Sequence, residues 1–233
     1  MLTVHTLVND FTHLFFPHNC AGCGSDIIHH DSILCIRCLH ELPVTNFHHF
    51  EGNPVEKHFW GRLPIIAAMA HCHFTKDSLV QQLLHQLKYK GNKNIGLFFG
   101  RLMGNALLES ERFKDIQVLV PLPLYASREK KRGYNQATVI CNGIAESMKI
   151  PVINNAVLRL SATETQTNKN RIERWQNMNG RFQINKASSI SGKHILLVDD
   201  VITTGATLEA CGHELLKAGD IRLSIATLAI ASS

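Results

Sequence analysis

Two adjacent carboxylates, Asp199 and Asp200, follow an unbroken apolar run, Ile195 to Val198. Two apolar residues, Val201 and Ile202, then separate them from Thr203-Thr204-Gly205-Ala206-Thr207. Paired acids suit sugar hydroxyls or a metal ion. A short Thr/Gly loop opening a helix offers N–H groups and hydroxyls to a phosphate. The stretch therefore reads as a site for a phosphorylated, metal-bound sugar. A second concentration of chemistry is Ser127 to Gln136, where Arg128, Lys130, Lys131 and Arg132 crowd one loop. Such a cluster is either a solvated face or an anion site, and its place after a buried strand and before a helix start favours the anion. A third is Cys20-Ala-Gly-Cys23 with Cys35-Ile-Arg-Cys38, eleven residues further on. Each CxxC turn presents two thiolates to one tetrahedral ion, so the two together read as a structural Zn²⁺ site closed to catalysis. Disulfides or redox chemistry are the alternatives, and His18, His29, His30 or His40 offers a substitute ligand.

These residues need a scaffold. An apolar run bounded by turn signals reads as a strand buried on both faces, and ligands bind at the carboxyl ends of such strands. Further strands are expected over 64–74, 118–124, 151–160, 182–184 and 221–230, with the second leaving its sheet near Pro121. Apolar spacing predicts helices from Asp77 to Tyr89, over 94–109, from Asn135 through Met148, and after Thr207 to Gly219. Lys88 and Lys90 close the first of these, either to complement the helix dipole or to reach an anion. Residues 41–63, with Pro43, Gly52, Pro54 and Gly61, read as a linker or irregular packing segment. Residues 161–180 are polar and contain Arg171 and Arg174, so they read as a lid or a surface loop. Residues 1–16 place Val4, Leu7, Val8, Phe11, Leu14 and Phe15 at helical spacing, for packing on the chain's own core or on a partner.

The 233 residues allow one α/β domain and a small module, expected at 61–233 and 1–60. A hydrophobic fraction of 45% with 18% charged residues is ordinary for a soluble chain. Net charge +5 fits anionic ligands without arguing for nucleic acid. Arg37 is the one basic residue between Cys20 and Cys38, too little charge for direct phosphate-backbone binding by the module. Thiols outside the CxxC pairs, Cys72, Cys141 and Cys211, suggest a reducing compartment. No apolar run approaches the roughly 18 residues of a membrane span. A cytoplasmic location follows as the expectation.

The stretch Ile195–Thr207 resembles the phosphoribosyl pyrophosphate (PRPP) motif of type I phosphoribosyltransferases. The order of a four-cysteine module, LKYKG at Leu87–Gly91, PLPL at Pro121–Leu124, RGYNQ at Arg132–Gln136, and then Gln166, Arg174, Asn177, Gly180 and Phe182 is similar to the ComF family. The resemblance spans essentially the whole chain. It implies a type I phosphoribosyltransferase fold, a mostly parallel sheet flanked by helices with a flexible hood, plus a small N-terminal zinc-binding module. It implies that Asp199 and Asp200 hold the ribose hydroxyls near Mg²⁺, and that Val201 with Thr203, Thr204, Gly205, Ala206 and Thr207 surrounds the 5-phosphate. Leu122 and Pro123 would form a pyrophosphate loop with a strained peptide. Lys88, Arg128 and Arg132 would neutralise pyrophosphate, and Arg174 of the 161–180 hood would join Arg132 and the two acids in catalysis. Thr203 stands where purine-using relatives carry an acid, which argues against a purine acceptor. Asn168-Lys169 replaces the usual Gly-Leu of the hood. Two functions follow from the resemblance: Mg²⁺-dependent phosphoribosyl transfer, or a non-catalytic PRPP-fold adaptor in DNA uptake. Partners of the latter would be a competence helicase and single-stranded-DNA handling proteins.

Overall fold

The computed structural model describes residues 19–26, 32–160 and 181–231. Its central sheet has four strands in the order β1 (Ala68–Phe74), β6 (Arg222–Ala231), β5 (His194–Ile202) and β2 (Val118–Pro121), paired in parallel throughout. Strands covered on both faces explain the continuous apolar runs. Strand β5 continues through both aspartates to Ile202, because its pairing with β6 runs on to Ile230. Strand β2 stops at Pro121, as expected.

Neither edge of the sheet is bare. Beside β1, the Thr45 N–H donates to His71 O (3.0 Å) and the His73 N–H to Pro43 O (2.8 Å). Beside β2, the Leu119 N–H donates to Pro151 O (3.0 Å) and the Ile153 N–H to Leu119 O (2.8 Å). Both prolines only accept, which is what an outermost position allows. The strand expected over 151–160 therefore divides. Residues 151–153 serve the edge. After Asn155, whose φ is 62°, β3 (Val157–Arg159) pairs antiparallel with β4 (Phe182–Ile184) in a separate two-stranded ribbon.

The helices are α1 (Ile36–His40), α2 (Pro54–Lys57), α3 (Leu79–Tyr89), α4 (Lys93–Leu108), α5 (Ala126–Arg132), α6 (Gln136–Met148), α7 (Ala187–Ile190) and α8 (Ala206–Leu216), with a 3₁₀ turn at Phe47–His49. One face of the sheet is covered by α3, α4 and α6, and the other by α2, α7, α8 and the ribbon. The basic stretch expected to be a loop is largely α5. Nothing from Ala126 to Arg132 breaks a helix, its Lys, Arg and Glu are good helix formers, and Gly133 ends it. Residues 54–63 pack rather than link: Val55, Phe59 and Leu63 are all buried. The expected helix over 1–16, the 161–180 excursion, His18, His29 and His30 lie outside the described residues.

Helix α6 owes its position to glycines on α4. Gly96, Gly100 and Gly104 recur at four-residue spacing on one face, and a Cβ on Gly100 would collide with Ile140 O and with Gly143 Cα (2.7 Å). The backbones touch where side chains would hold them apart. Gly100→Ala is expected to destabilise the protein by about 2–3 kcal/mol, through overpacking against backbone that cannot yield. Asn105→Ala, on the exposed face of the same helix, should change stability by less than about 0.5 kcal/mol in the same denaturant titration.

Candidate functional site

Asp199 and Asp200 occupy the C-terminal end of β5, an interior strand of the parallel sheet. Side chains alternate along a strand. Ile195 and Leu197 enter one core, Leu196 and Val198 the other. The alternation splits the two acids, Asp200 toward the α3 face and Asp199 toward the ribbon. Lys88 Nζ, in the last turn of α3, lies 3.0 Å from Asp200 Oδ2. Burial and the Asp200 charge hold the Asp199 carboxyl well above the usual carboxylate range, while Lys88 and Arg159 oppose that shift. The Asp200 N–H donates to Asp199 Oδ1 (2.8 Å), which fixes the first carboxylate to the backbone of the second.

Lys88 is aimed by two stretches far apart in sequence that lock together. The Tyr134 hydroxyl, buried, donates to Leu87 O. The Arg132 guanidinium stacks over the Tyr89 ring, 5.4 Å from its centroid, and its Nη1 donates to Gln136 Oε1 (2.7 Å). Lys93 Nζ sits over the other ring, Tyr134, at 5.0 Å. RGYNQ thus grips LKYKG on both sides of Lys88. Its Asn135 does two further things. Oδ1 accepts from the Ala137 N–H (3.0 Å), capping α6, and Nδ2 donates to Leu122 O (2.9 Å). Leu122, whose N–H donates to Val198 O (2.8 Å), is thereby held beside the carboxylates. Among the described residues no peptide is cis, and none from Pro121 to Tyr125 has positive φ.

Sequence reasoning missed Arg159. It stands on β3 over the Phe182 ring (5.5 Å to the centroid), near enough for its charge to act on Asp199 and to feel Arg128 and Arg181. Burial, then Arg128, holds its guanidinium below its ordinary range. Nothing in the local pattern marks it, because a strand expected over 151–160 does not show that its second half leaves the main sheet to pair with β4. Arg128 is exposed on α5, Arg132 is turned to Tyr89 and Gln136, and Arg174 lies outside the described residues.

The Thr/Gly loop is exposed at Thr203 and Thr204 and buried at Gly205, whose φ of 74° opens α8. Val201, Ala206 and Thr207 are half-buried around it. The loop rests on an unexpected partner. A Cβ on Gly205 would meet the Phe59 ring at 3.3 Å and His58 Cβ at 3.4 Å. One turn on, Arg62 pairs with Glu209, and a Cβ on Gly212 would strike Leu63. Positions 205, 209 and 212 form one face of α8, so the 58–63 segment lies along that helix.

The four cysteines converge: their sulfurs lie within 4.8 Å of one another. Cys23 Sγ and Cys35 Sγ are 3.7 Å apart. That is the edge, about 3.8 Å, of a tetrahedron with Zn–S bonds of about 2.3 Å. A hydrogen bond with Ser25 draws the Cys23 thiol down to about 6, a backbone hydrogen bond lowers Cys35, and burial raises Cys38. The donor set fits a metal such as zinc, with no open position, and His40 is exposed. The cluster braces α3. Gln86 Nε2 donates to Ala21 O (2.6 Å), and a Cβ on Gly22 would meet Leu79 (2.7 Å) and Cys38 Sγ (2.9 Å). Co²⁺ loading of the reduced protein is expected to produce a thiolate-to-metal charge-transfer band that Cys38→Ser weakens or removes.

The sequence model of the family described as phosphoribosyl transferase domain matches residues 128–232. The chain is 30% identical over 193 residues to the DNA utilization protein YhgH of Escherichia coli K12, covering 81% of this chain and 80% of that protein. It is 28% identical over 208 residues to competence protein F of Haemophilus influenzae (88% and 80% of the two chains). It is 32% identical over 146 residues to competence protein ComFC of Bacillus subtilis (63% and 57%).

Proposed function

The chain belongs to the ComF family, and we propose that it binds PRPP, with Mg²⁺, at the end of β5 and acts on it as a phosphoribosyltransferase in the use or uptake of DNA. One observation carries the reading: two carboxylates at the end of an interior parallel strand, directly before a Thr/Gly loop that opens a helix, with Lys88 held against them. The names of the relatives, competence and DNA-utilization proteins, support the setting.

In this reading Asp200, and Asp199 once a bound cation favours its ionised form, accept from the ribose hydroxyls. The loop from Thr203 to Thr207 receives the 5-phosphate. Lys88, Arg128 and Arg159 surround the departing pyrophosphate, with Leu122 and Pro123 beside it. Arg132 acts at a distance by orienting the turn that carries Lys88. Two carboxylates are the hard oxygen donors that suit Mg²⁺, and the ion, when bound, supplies positive charge to the pyrophosphate oxygens. Loss of pyrophosphate makes the ribose carbon electron-poor while negative charge gathers on the leaving group, so fixed cations lower that barrier. By equilibrium dialysis with PRPP and Mg²⁺, Asp200→Asn is expected to weaken binding at least tenfold. It should also abolish any pyrophosphate release found in a screen of amine and pyrimidine acceptors. Unchanged binding by this variant would overturn the reading.

The 58–63 segment adds a charge argument. Glu209 lies in the first turn of α8, where a carboxylate suits the helix dipole but repels a phosphate bound at the same end. Arg62 cancels that charge. Arg62→Ala is therefore expected to weaken ribose 5-phosphate binding several-fold, and Arg62→Ala/Glu209→Gln to restore it. A packing role for Arg62 alone would leave the double variant as weak as the single one.

A second reading, the non-catalytic adaptor, is favoured by Ile36 (83% exposed) and Leu39, two apolar side chains presented on α1 next to the cysteine cluster. In that reading these side chains would receive a competence helicase or single-stranded-DNA handling protein. Ile36→Glu with Leu39→Glu should then abolish transformation while PRPP binding stays intact, and Asp200→Asn should transform normally. Among the described residues no helix is long and apolar enough to cross a membrane.

A further inference from the structure

We propose that this protein carries a second metal site, made by His48, His49 and Glu109, that takes a borderline divalent ion such as Zn²⁺. One donor atom from each of the three lies within 4.8 Å of the other two. Two imidazoles and a carboxylate form a common donor set for zinc, with a position left over for water. The donors come from two elements, the 3₁₀ turn and the residue that ends α4.

Three observations mark this as a built site. First, the two elements are already tied. Ser110, the neighbour of Glu109, donates its buried hydroxyl to His48 O (2.6 Å). Second, the turn is fixed from other sides. The Phe47 N–H donates to Thr45 Oγ1 (3.1 Å), Thr45 Oγ1 donates to Ala70 O (2.5 Å), and Asn53 Nδ2 donates to Phe47 O (3.3 Å). A held turn gives its ligands a small ordering cost on binding. Third, His48 is only 4% exposed, and among the described residues its Nε2 has no hydrogen-bond partner; Nδ1 of His71 and of His194 share that condition, but His48 also has a second imidazole and a carboxylate within ligating reach. Buried polar groups are usually paired, so an unpartnered ring nitrogen beside two further donors is a place where an ion would complete the set. His49 and Glu109 are exposed, so the ion has an open path in.

The position says what the ion does. Helix α4 is 16 residues long, about 24 Å at 1.5 Å per residue. Lys93, beside the RGYNQ turn, begins it, and Glu109 follows its far end. The second ion therefore stands away from the carboxylates of β5. It clips the 43–50 segment, which closes one edge of the sheet, to α4. It joins two elements away from the carboxylates of β5, so its role is structural even with one position left to water, and its donor chemistry separates it from the four-cysteine cluster.

Donor chemistry supplies the test. The reduced full chain is titrated with Co²⁺ alone and followed by visible absorption and elemental analysis. Two equivalents are expected, one with a thiolate charge-transfer band and one showing only the weaker d–d bands of a nitrogen and oxygen site. His49→Ala and Glu109→Gln change exposed side chains and should fold. Each should lose the second equivalent and keep the thiolate band, and the rise in melting temperature on adding Zn²⁺ should shrink by the same part in both. A single equivalent bearing the thiolate band, or a second equivalent that survives in both variants, overturns the proposal. Survival would assign the extra ion to other histidines.

Discussion

The ion pair between Lys88 and Asp200 is the contact on which the rest of this architecture converges. Two neighbouring carboxylates at the end of a largely buried strand repel each other and lose hydration, and both effects drive Asp199 toward its protonated form. An ammonium 3.0 Å from Asp200 offsets part of that cost. The pair is only partly exposed, so solvent screens it less than a surface bridge. A lysine on a flexible stem would not stay there unaided. Tyr134 fixes the carbonyl before it, Arg132 stacks on the ring after it, and the cysteine module bonds to Gln86 two residues earlier. Three regions of the chain that share no local sequence pattern thus meet on one turn of α3.

This arrangement gives the four-cysteine module a meaning beyond its own fold. Cys20 and Cys38 belong to the same buried core as α3, α4 and α6. The module therefore braces a helix that delivers a charge to the site. Something similar holds on the opposite face of the sheet, where the 58–63 segment supports the Thr/Gly loop. The residues before β1 reach both sides of the site, although the phosphoribosyl transferase domain match begins only at residue 128.

Much of the fold was legible because its signals are local. Apolar runs gave β2, β5 and β6, Pro121 gave the end of β2, and helical spacing gave α3, α4, α6 and α8. The cysteine spacing told of their convergence because four thiols at that interval have few other arrangements. What escaped the sequence depends on contacts between distant segments. The basic stretch from Ala126 became a helix because its propensity, not its charge, decides local conformation. Arg159 was invisible as a site residue because its strand left the main sheet after Asn155. Phe59 and Arg62 lay in a stretch whose prolines and glycines suggested a connector, while their partners Gly205 and Glu209 are about 150 positions away. The glycine spacing on α4 was present in the sequence, but only the backbone contact with Gly143 shows why side chains are absent there.

The central claim is that the grip of RGYNQ on LKYKG places Lys88 where PRPP binds. Tyr134→Phe removes one buried hydroxyl, the one that donates to Leu87 O, and keeps the ring under Lys93. Calorimetric titration with PRPP and Mg²⁺ tests the claim most directly. The account predicts that the variant folds, retains the cysteine-bound metal, and binds PRPP several-fold more weakly than the unaltered protein, and that Tyr134→Phe causes no further loss when added to Lys88→Met. Equal affinity in the unaltered protein and Tyr134→Phe, or full additivity of the two substitutions, would contradict it.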